Sequence, residues 1–411
     1  MPSDSKLPPR AWLIVGLLWF VGLLNYLDRV MITTMRESVV DAIPMTDAQF
    51  GLLTSVFLWV YAVLSPFAGY LADRFNRSRV IIGSLFLWSL ITWLTGHART
   101  YEQLLLTRAL MGVSEACYIP AALALIADYH RGPTRSLANG IHLSGVVAGS
   151  ALGGLGGWLA ERHGWAYAFN LFGLVGLGYS FVILWLVRGP AVSAPLASAP
   201  VAIVPRVLFG EAIVSLFSQR AFLVALGFWG LLGVGGWAVT GWMPTYLHEH
   251  FHLPQGQAGL YATMFVSISS LLGLLIGGAW ADRWSRTNER GRILVPMIGL
   301  IIAAPAILLA ASTPWLTLTL GALVVYGLTR TFVDANMMPI LCLIADPRYR
   351  ATGYGILNFL ACIVGGATIY AGGALRDAQV DISRVFQFGA LTIAICAGLL
   401  WFIRPRPTTS T

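Results

Sequence analysis

Apolar residues in this chain come in long runs separated by short polar breaks. Twelve runs of roughly twenty residues can be counted, at about 11–35, 48–72, 79–97, 103–127, 136–160, 166–187, 221–247, 258–281, 293–312, 315–341, 353–374 and 385–403. A helix rises about 1.5 Å per residue, so some 20 residues cross the ~30 Å hydrocarbon layer of a bilayer. In lipid each segment must satisfy its own backbone hydrogen bonds, which a helix does. The pattern therefore predicts an all-α membrane protein with twelve transmembrane helices, numbered helix 1 to helix 12 in chain order. The stretch 189–205 breaks the rhythm, being rich in Ala, Pro, Ser and Val without charge. It reads as a linker, and its mild hydrophobicity also suits a segment lying on the membrane surface. The predicted organisation is an N-terminal six-helix bundle over 1–188, a cytoplasmic linker over 189–219 and a C-terminal six-helix bundle over 220–411.

The two bundles repeat one another. Gly69-Tyr-Leu-Ala-Asp73-Arg74-Phe-Asn-Arg77 after helix 2 recurs as Gly278-Ala-Trp-Ala-Asp282-Arg283-Trp-Ser-Arg286 after helix 8. Glu115 stands five residues before Pro120, and Asp334 five before Pro339. Leu125-Ile-Ala-Asp128 is echoed by Leu343-Ile-Ala-Asp346, and Arg135 with Gly140 by Arg350 with Gly355. Four matches in the same order mark a tandem duplication, a common construction in transporters.

Composition sharpens this picture. Of the 411 residues 57% are hydrophobic and 11% charged, against about 25% charged in a soluble domain. Mean hydropathy is +0.73. The net charge of +8 could suggest nucleic acid, but its distribution is topological. With both termini in the cytoplasm, eighteen of the 26 basic residues fall inside, among them Lys6, Arg10, Arg74, Arg77, Arg79, Arg131, Arg135, Arg188, Arg206, Arg283, Arg286, Arg404 and Arg406. Five fall outside: Arg36, Arg99, Arg162, Arg376 and Arg384. That asymmetry is the positive-inside signature. It predicts a multi-pass protein of the plasma membrane, or of the inner membrane in a bacterium, with no nucleic-acid partner. Met1 to Arg10 reads as a plain cytoplasmic tail without a cleavable signal. Cys117, Cys342, Cys362 and Cys396 sit singly in apolar runs and read as packing residues, with no metal-ligand spacing.

Six charges remain at membrane depth: Asp28, Arg29, Arg108, Glu115, Arg330 and Asp334. Each costs roughly 3 kcal/mol at the bilayer centre on insertion scales, so such residues face the protein interior and usually have a task. Arg108 and Glu115 are seven residues apart, about two helical turns, and share one face of helix 4. A buried pair kept for packing is the plain alternative. Arg29 and Arg108 stay charged and can hold a carboxylate through paired donors; they are candidates to bind an anionic substrate. Asp28 and Glu115 are the titratable partners. If Glu115 occupies Arg108 when ionised and releases it when protonated, proton and anion bind together, which is symport. Asp28 points about 100° away from Arg29 on the helix and also fits a role as a hydrogen-bonded anchor. Arg330 and Asp334 stand i,i+4 and can pair along one face, as a structural pair or as a second site.

The twelve helices in two similar halves, with Gly-x-Leu-Ala-Asp-Arg-x-x-Arg between helices 2 and 3, resemble the major facilitator superfamily over essentially the whole chain. Asn25-Tyr26-Leu27-Asp28-Arg29 in helix 1, Arg108-x-x-x-Gly112-x-x-Glu115 in helix 4 and Trp242-Met-Pro244-Thr-Tyr246 ending helix 7 are similar to the anion:cation symporters. That resemblance implies carriage of sugar acids or related organic anions and gives Arg29 and Arg108 the anion-binding role. The spinster-like lipid carriers share the Asp-Arg of helix 1, the Arg and Glu of helix 4 and a similar Gly69–Arg77 loop. Asp73, Arg74, Arg77, Asp282 and Arg283, at cytoplasmic helix ends, are expected to form a latch between the halves.

Other residues are weighed more plainly. Tyr26, Tyr61, Trp237, Asn336 and Asn358 are expected along the central cavity, with Tyr26 and Asn358 as substrate contacts. His142, inside helix 5, reads as a packed histidine. His248, His250 and His252 alternate in an expected external loop without a fourth ligand. Gly145, Gly149, Gly153 and Gly157 form a close-packing stripe on helix 5, where half would slide on half. No nucleophile–base set suggests an enzyme, and no signalling domain a receptor. The expected function is proton-coupled symport of a sugar acid or small monocarboxylate by alternating access, in a monomer, with the proton as coupling ion and no cofactor. The alternative is a spinster-like transporter of a lysolipid or sphingoid molecule.

Overall fold

The computed structural model describes residues 10–130, 134–186, 209–288 and 290–403, without the side chains of residues 66, 69–74, 135, 136, 347 and 351. Among these, twelve helices are long and apolar enough to cross a membrane. Helices 1 to 3 run over Arg10–Thr34, Asp47–Arg74 and Arg77–Thr95. Helices 4 to 6 run over Tyr101–Tyr129, Arg135–His163 and Trp165–Leu186. In the second half come Arg220–Phe251, Gln255–Ser285, Gly291–Ala310, Leu316–Ile344, Arg350–Asp377 and Ser383–Phe402. Short helices Arg36–Ala42 and Phe209–Phe217 lead into helices 2 and 7. Of the predicted linker, residues 189–208 lie outside the described residues. So do Lys6, Arg131, Arg188, Arg206, Arg404 and Arg406 of the charge count.

The apolar pattern is inside-out relative to a soluble domain. Phe67, Trp185, Leu275 and Phe402 are exposed on the helix exteriors, while Asp28, Arg108, Glu115 and His142 are buried. Packing follows the duplication. Helix 1 packs on helix 5 as helix 7 packs on helix 11, and helix 2 on helix 4 as helix 8 on helix 10. Helix 3 meets helix 6 as helix 9 meets helix 12. Between the halves, helix 2 lies against helix 11 and helix 5 against helix 8, again related by the repeat.

Two helices that face the centre are broken. Helix 4 stops at Glu115 and resumes at Tyr118. Pro120 has no N–H, and its ring crowds the carbonyl of Ala116 four residues back. Helix 10 stops at Arg330 and resumes at Phe332. Helix 7 runs past its expected end at about 247: it carries Pro244 inside and continues to Phe251.

The glycine stripe of helix 5 meets helix 1, and only at its end does Gly157 also approach the opposite half, 3.2 Å from the Gln255 carbonyl oxygen for an added Cβ. A Cβ on Gly149 would lie 2.1 Å from the Leu23 carbonyl oxygen, and one on Gly145 2.3 Å from that of Trp19. Gly153 and Gly157 likewise abut Val30 and Thr34. The stripe therefore fastens two helices of one bundle; the neighbouring Gly154 is the glycine that touches Leu260 across the seam. Gly149→Leu should force helices 1 and 5 apart and cost about 1–3 kcal/mol. Thermal unfolding in detergent should record a lower midpoint, and an unchanged midpoint would contradict this packing.

Candidate functional site

Helix 1 brings Asp28 and Arg29 to the bundle interior, and the break in helix 4 places Glu115 opposite them. Arg29 Nε donates to Glu115 Oε2 at 2.7 Å, with side-chain exposures of 7% and 0%. The sequence expectation paired Glu115 with Arg108, and the structure corrects it. Seven residues amount to about 10.5 Å along a helix, and helical side chains lean toward the N-terminus, carrying Arg108 away from Glu115. Arg108 instead directs Nε at the Leu53 carbonyl of helix 2, 3.4 Å away, and Nη1 at Met111 Sδ, 2.9 Å away. As the last residue of its helical segment, Glu115 sits at the negative end of the segment dipole. It gains little from its own helix and depends on the cation of helix 1.

Aromatic rings enclose this pair. The Arg29 guanidinium lies 4.7 Å from the centre of Tyr26, 5.0 Å from Phe57 and 4.4 Å from Tyr61. Phe57 also carries Arg108, at 5.1 Å. Cation–π contacts hold a guanidinium without consuming its N–H donors. Asp28 turns to helix 3, accepting from Thr92 Oγ1 at 3.2 Å. Three charged side chains of this cluster carry an atom with no protein hydrogen-bond partner, Asp28 Oδ1, Arg29 Nη2 and Arg108 Nη2, while Asn25 lies within hydrogen-bonding reach of Glu115. An unsatisfied buried polar group costs about 1–3 kcal/mol.

The second half contributes from helix 11. Tyr354, half-exposed, stands near Tyr26, Tyr61 and Asp334, and Cys362 near Arg29. Residues 354, 358 and 362 are spaced by four and share one helical face, so Asn358 belongs to the same wall. Arg330 Nη1 donates to Asp334 Oδ2 at 2.7 Å. Arg330 closes one helical segment of helix 10 and Asp334 sits in the first turn of the next, the favourable sign at each end. Phe57, Thr92 and Tyr354 are absent from the sequence expectation, which read Cys362 as a packing residue. Only the i,i+4 aromatic pair Phe57 and Tyr61 could have signalled a shared face with the charges.

Several other candidates lie elsewhere. Asn336 does not line the cavity; its Nδ2 donates to Phe332 O at 2.9 Å and it is 2% exposed, packed between helices 10 and 8. Trp237 packs against Gly365 of helix 11. His142 is fully buried, with Nδ1 3.2 Å from the Leu18 carbonyl oxygen and an edge contact to Tyr118, in keeping with a packed histidine. The three alternating histidines are not in an extended loop. His248 and His250 ride the last turn of helix 7 and His252 caps it in the left-handed region, so their side chains diverge. His248 contacts Glu37 and His250 stacks on Tyr246. The side chains of Asp73 and Arg74 lie outside the described residues. Arg77 donates to Asp128 at 2.5 Å and Arg292 to Asp282 at 3.2 Å, each pair within its own half.

The halves meet at the opposite end. Ser55 Oγ donates to Gly366 O at 2.6 Å and Trp59 Nε1 to Ile363 O at 3.0 Å between helices 2 and 11. Thr263 Oγ1 donates to Ala151 O at 2.9 Å, and Gly256 N to Glu161 Oε2 at 2.8 Å, between helices 8 and 5. The central cluster thus lies just beneath this closed end.

Removing one member of the central pair leaves a buried charge alone, at a cost of about 3–5 kcal/mol. Arg29→Met and Glu115→Leu should each destabilise the protein strongly, and the double variant by clearly less than the sum. Thermal unfolding of the four proteins checks this, and additive losses would contradict the pairing.

Residues 18–369 match the Major Facilitator Superfamily. An MFS-type efflux pump of Mycolicibacterium smegmatis is 28% identical over 400 residues, 97% of this chain and 92% of that protein. Protein spinster homolog 1 of Xenopus tropicalis is 27% identical over 393 residues, covering 91% and 74%. Among solved structures, a bacterial homolog of the human lysosomal transporter Spinster, in an inward-facing and unoccupied conformation, superposes with a TM-score of 0.76. It shares 22% identity over 97% of this chain and 96% of that chain. Its fold is therefore the fold of this protein.

Proposed function

The chain belongs to the Major Facilitator Superfamily, and from that premise we propose that it carries an amphiphile with an anionic head group, of the lysophospholipid kind, by alternating access. The observation that carries this reading is the Arg29–Glu115 pair, buried at 2.7 Å beneath a wall of aromatic rings. Arg29 offers Nη2, and Arg108 its own Nη2, without a protein partner. A head group with a phosphate or carboxylate suits these donors. Tyr26, Tyr61 and Tyr354, which are not fully buried, provide apolar surface for the adjoining chain. The spinster-type relatives favour the spinster-like alternative, whose resemblance implies a lysolipid or sphingoid substrate, over the sugar acid that the helix 1 and helix 4 motifs suggest. Uptake of a sugar acid or small monocarboxylate keeps one point of support, the two arginines with free Nη2 donors.

In this mechanism Glu115 and the head group compete for Arg29. With Glu115 ionised, the pair is closed and internally neutral. Protonation of Glu115 releases Nε, and the whole guanidinium then faces the head group. Proton and anion occupy the site together and leave together. Asp28, held by Thr92 and beside the same charges, relays that proton to and from Glu115. Asn358, on the helix 11 wall, contacts the substrate from the other half, and the Arg330–Asp334 pair answers Arg29–Glu115 there as a second polar site. The halves, 1–188 and 220–411, rock as units about this centre, in a monomer. By the positive-inside rule the sealed end faces outward, both termini are cytoplasmic and the site opens to the inside. Asp73, Arg74, Arg77, Asp282 and Arg283 then close the inner side in the opposite state.

The test uses purified protein in liposomes containing a pH-sensitive dye. Adding lysophosphatidylglycerol should drive lumenal acidification with movement of the lipid. Glu115→Gln should keep lipid exchange and lose accumulation driven by a pH gradient. Acidification by glucuronate or lactate, with no response to lysolipid, would replace the lipid reading with the organic-anion one.

A further inference from the structure

The sealed end carries a charge arrangement that the central mechanism does not use. Arg36 belongs to the short helix after helix 1, and Asp47 starts helix 2. Glu249 lies at the end of helix 7 and Arg376 at the end of helix 11. Arg36 binds Asp47 through Nε at 2.7 Å and through Nη2. Arg376 Nε binds Asp47 Oδ2 at 3.0 Å, and its Nη1 and Nη2 hold Glu249 Oε2 and Oε1 at 2.7 Å each. Arg36 Nη1 closes the ring at 3.7 Å from Glu249. The four charges alternate in sign. Two belong to each half, and the Asp47–Arg376 and Arg36–Glu249 sides cross the seam.

Neighbouring groups reinforce the crossing. Asp377 accepts from the N–H groups of Asp47 at 2.8 Å and Ala48 at 2.9 Å, so a helix 11 carboxylate caps the positive end of helix 2 from the other half. On the second seam Gln255 accepts from Ser38 N at 3.0 Å and donates to Ser38 Oγ at 2.7 Å. A Cβ on Gly373 would lie 2.1 Å from the Asp47 carbonyl oxygen, so the helices meet backbone to backbone beneath the ring. Asp47 and Arg376 are each 14% exposed and Arg36 20%, with Glu249 at 40%.

We propose that the ring Arg36–Asp47–Arg376–Glu249, with the Asp377 cap, is an ionic clasp whose rupture is required for the sealed end to open. Its strength then sets the balance between the two access states. The inference rests on the alternating-access reading above. No apolar core would release and re-form so readily. Partly exposed ion pairs cost little to exchange for water, and they release together because each charge serves two others. The clasp is also sensitive to salt, since screening shortens from about 10 Å at 0.1 M to about 3 Å at 1 M.

Spin-label distances test this. With the four native cysteines replaced by alanine, one label pair at exposed Asp41 and Ala378 reads the sealed end. A second pair at exposed Arg79 and Asn288 reads the other. Arg376→Ala and Asp377→Ala should each raise a longer outer population and a shorter inner one, shifting their ratio about tenfold. Arg384→Ala, which removes an exposed arginine bonded to Gln387 of its own helix, should leave both distances unchanged. About 1 M salt should shift the labelled protein with its ring unaltered in the same direction as Arg376→Ala, a reading that needs no substitution in the ring. Distances that respond to lysophosphatidylglycerol but not to salt or either variant would overturn the clasp and leave alternating access standing. Distances that respond to none of these would overturn both.

Discussion

A guanidinium and a carboxylate held together away from water are the interaction on which this molecule turns. Neither Arg29 nor Glu115 is tolerable alone at that depth. Desolvation costs several kcal/mol per ion, and only close pairing offsets it. The pair also carries little surplus, because Glu115 sits at the unfavourable end of its helical segment. A site that is barely satisfied in its resting form yields readily to a proton and an anion that satisfy it in another way.

The scaffold makes that exchange consequential. Arg29 is on helix 1 and Glu115 at the break of helix 4, both in the first half, while Tyr354, Asn358 and Cys362 approach from helix 11 of the second. The same helix 11 continues to Arg376 and Asp377, which grip the start of helix 2. Helix 2 in turn carries Phe57 and Tyr61, the rings against Arg29. Two rigid helices therefore link the central charges to the outer ring. A rigid-body shift of helix 2 against helix 11 would move both ends together. The glycine stripe of helix 5, locked onto helix 1 at Gly149, keeps the first half a single body during such a movement.

Much of this was legible in the chain itself. Runs of about twenty apolar residues, the recurring loop motif and the buried charges specify the twelve helices, their duplication and the depth of the site. The partners of those charges were not legible. Periodicity places Arg108 and Glu115 on one face but is silent on what helix 1 brings beside them, and the pairing is decided by tertiary distance. Phe57 and Tyr354 escaped notice because aromatic residues in an apolar run look alike whether they face lipid, core or cavity. The outer ring escaped for a different reason. Arg36, Asp47, Glu249 and Arg376 are spread across the chain at helix ends, where each reads as an ordinary topological or capping charge. Only the closure of helix 2 on helix 11 assembles them. The three histidines were misplaced because the apolar run stops at about 247, whereas helix 7 continues through polar residues to Phe251.

The competition between Glu115 and a head group for Arg29 is the central claim. It is tested most directly by counting protons taken up on binding. Calorimetric titration with lysophosphatidylglycerol, in buffers of equal pH and different ionisation enthalpy, gives that number. About one proton taken up per ligand by the parent protein, and none by Glu115→Gln, is the expected result. Binding without proton uptake in the parent, or equal uptake in Glu115→Gln, would contradict it.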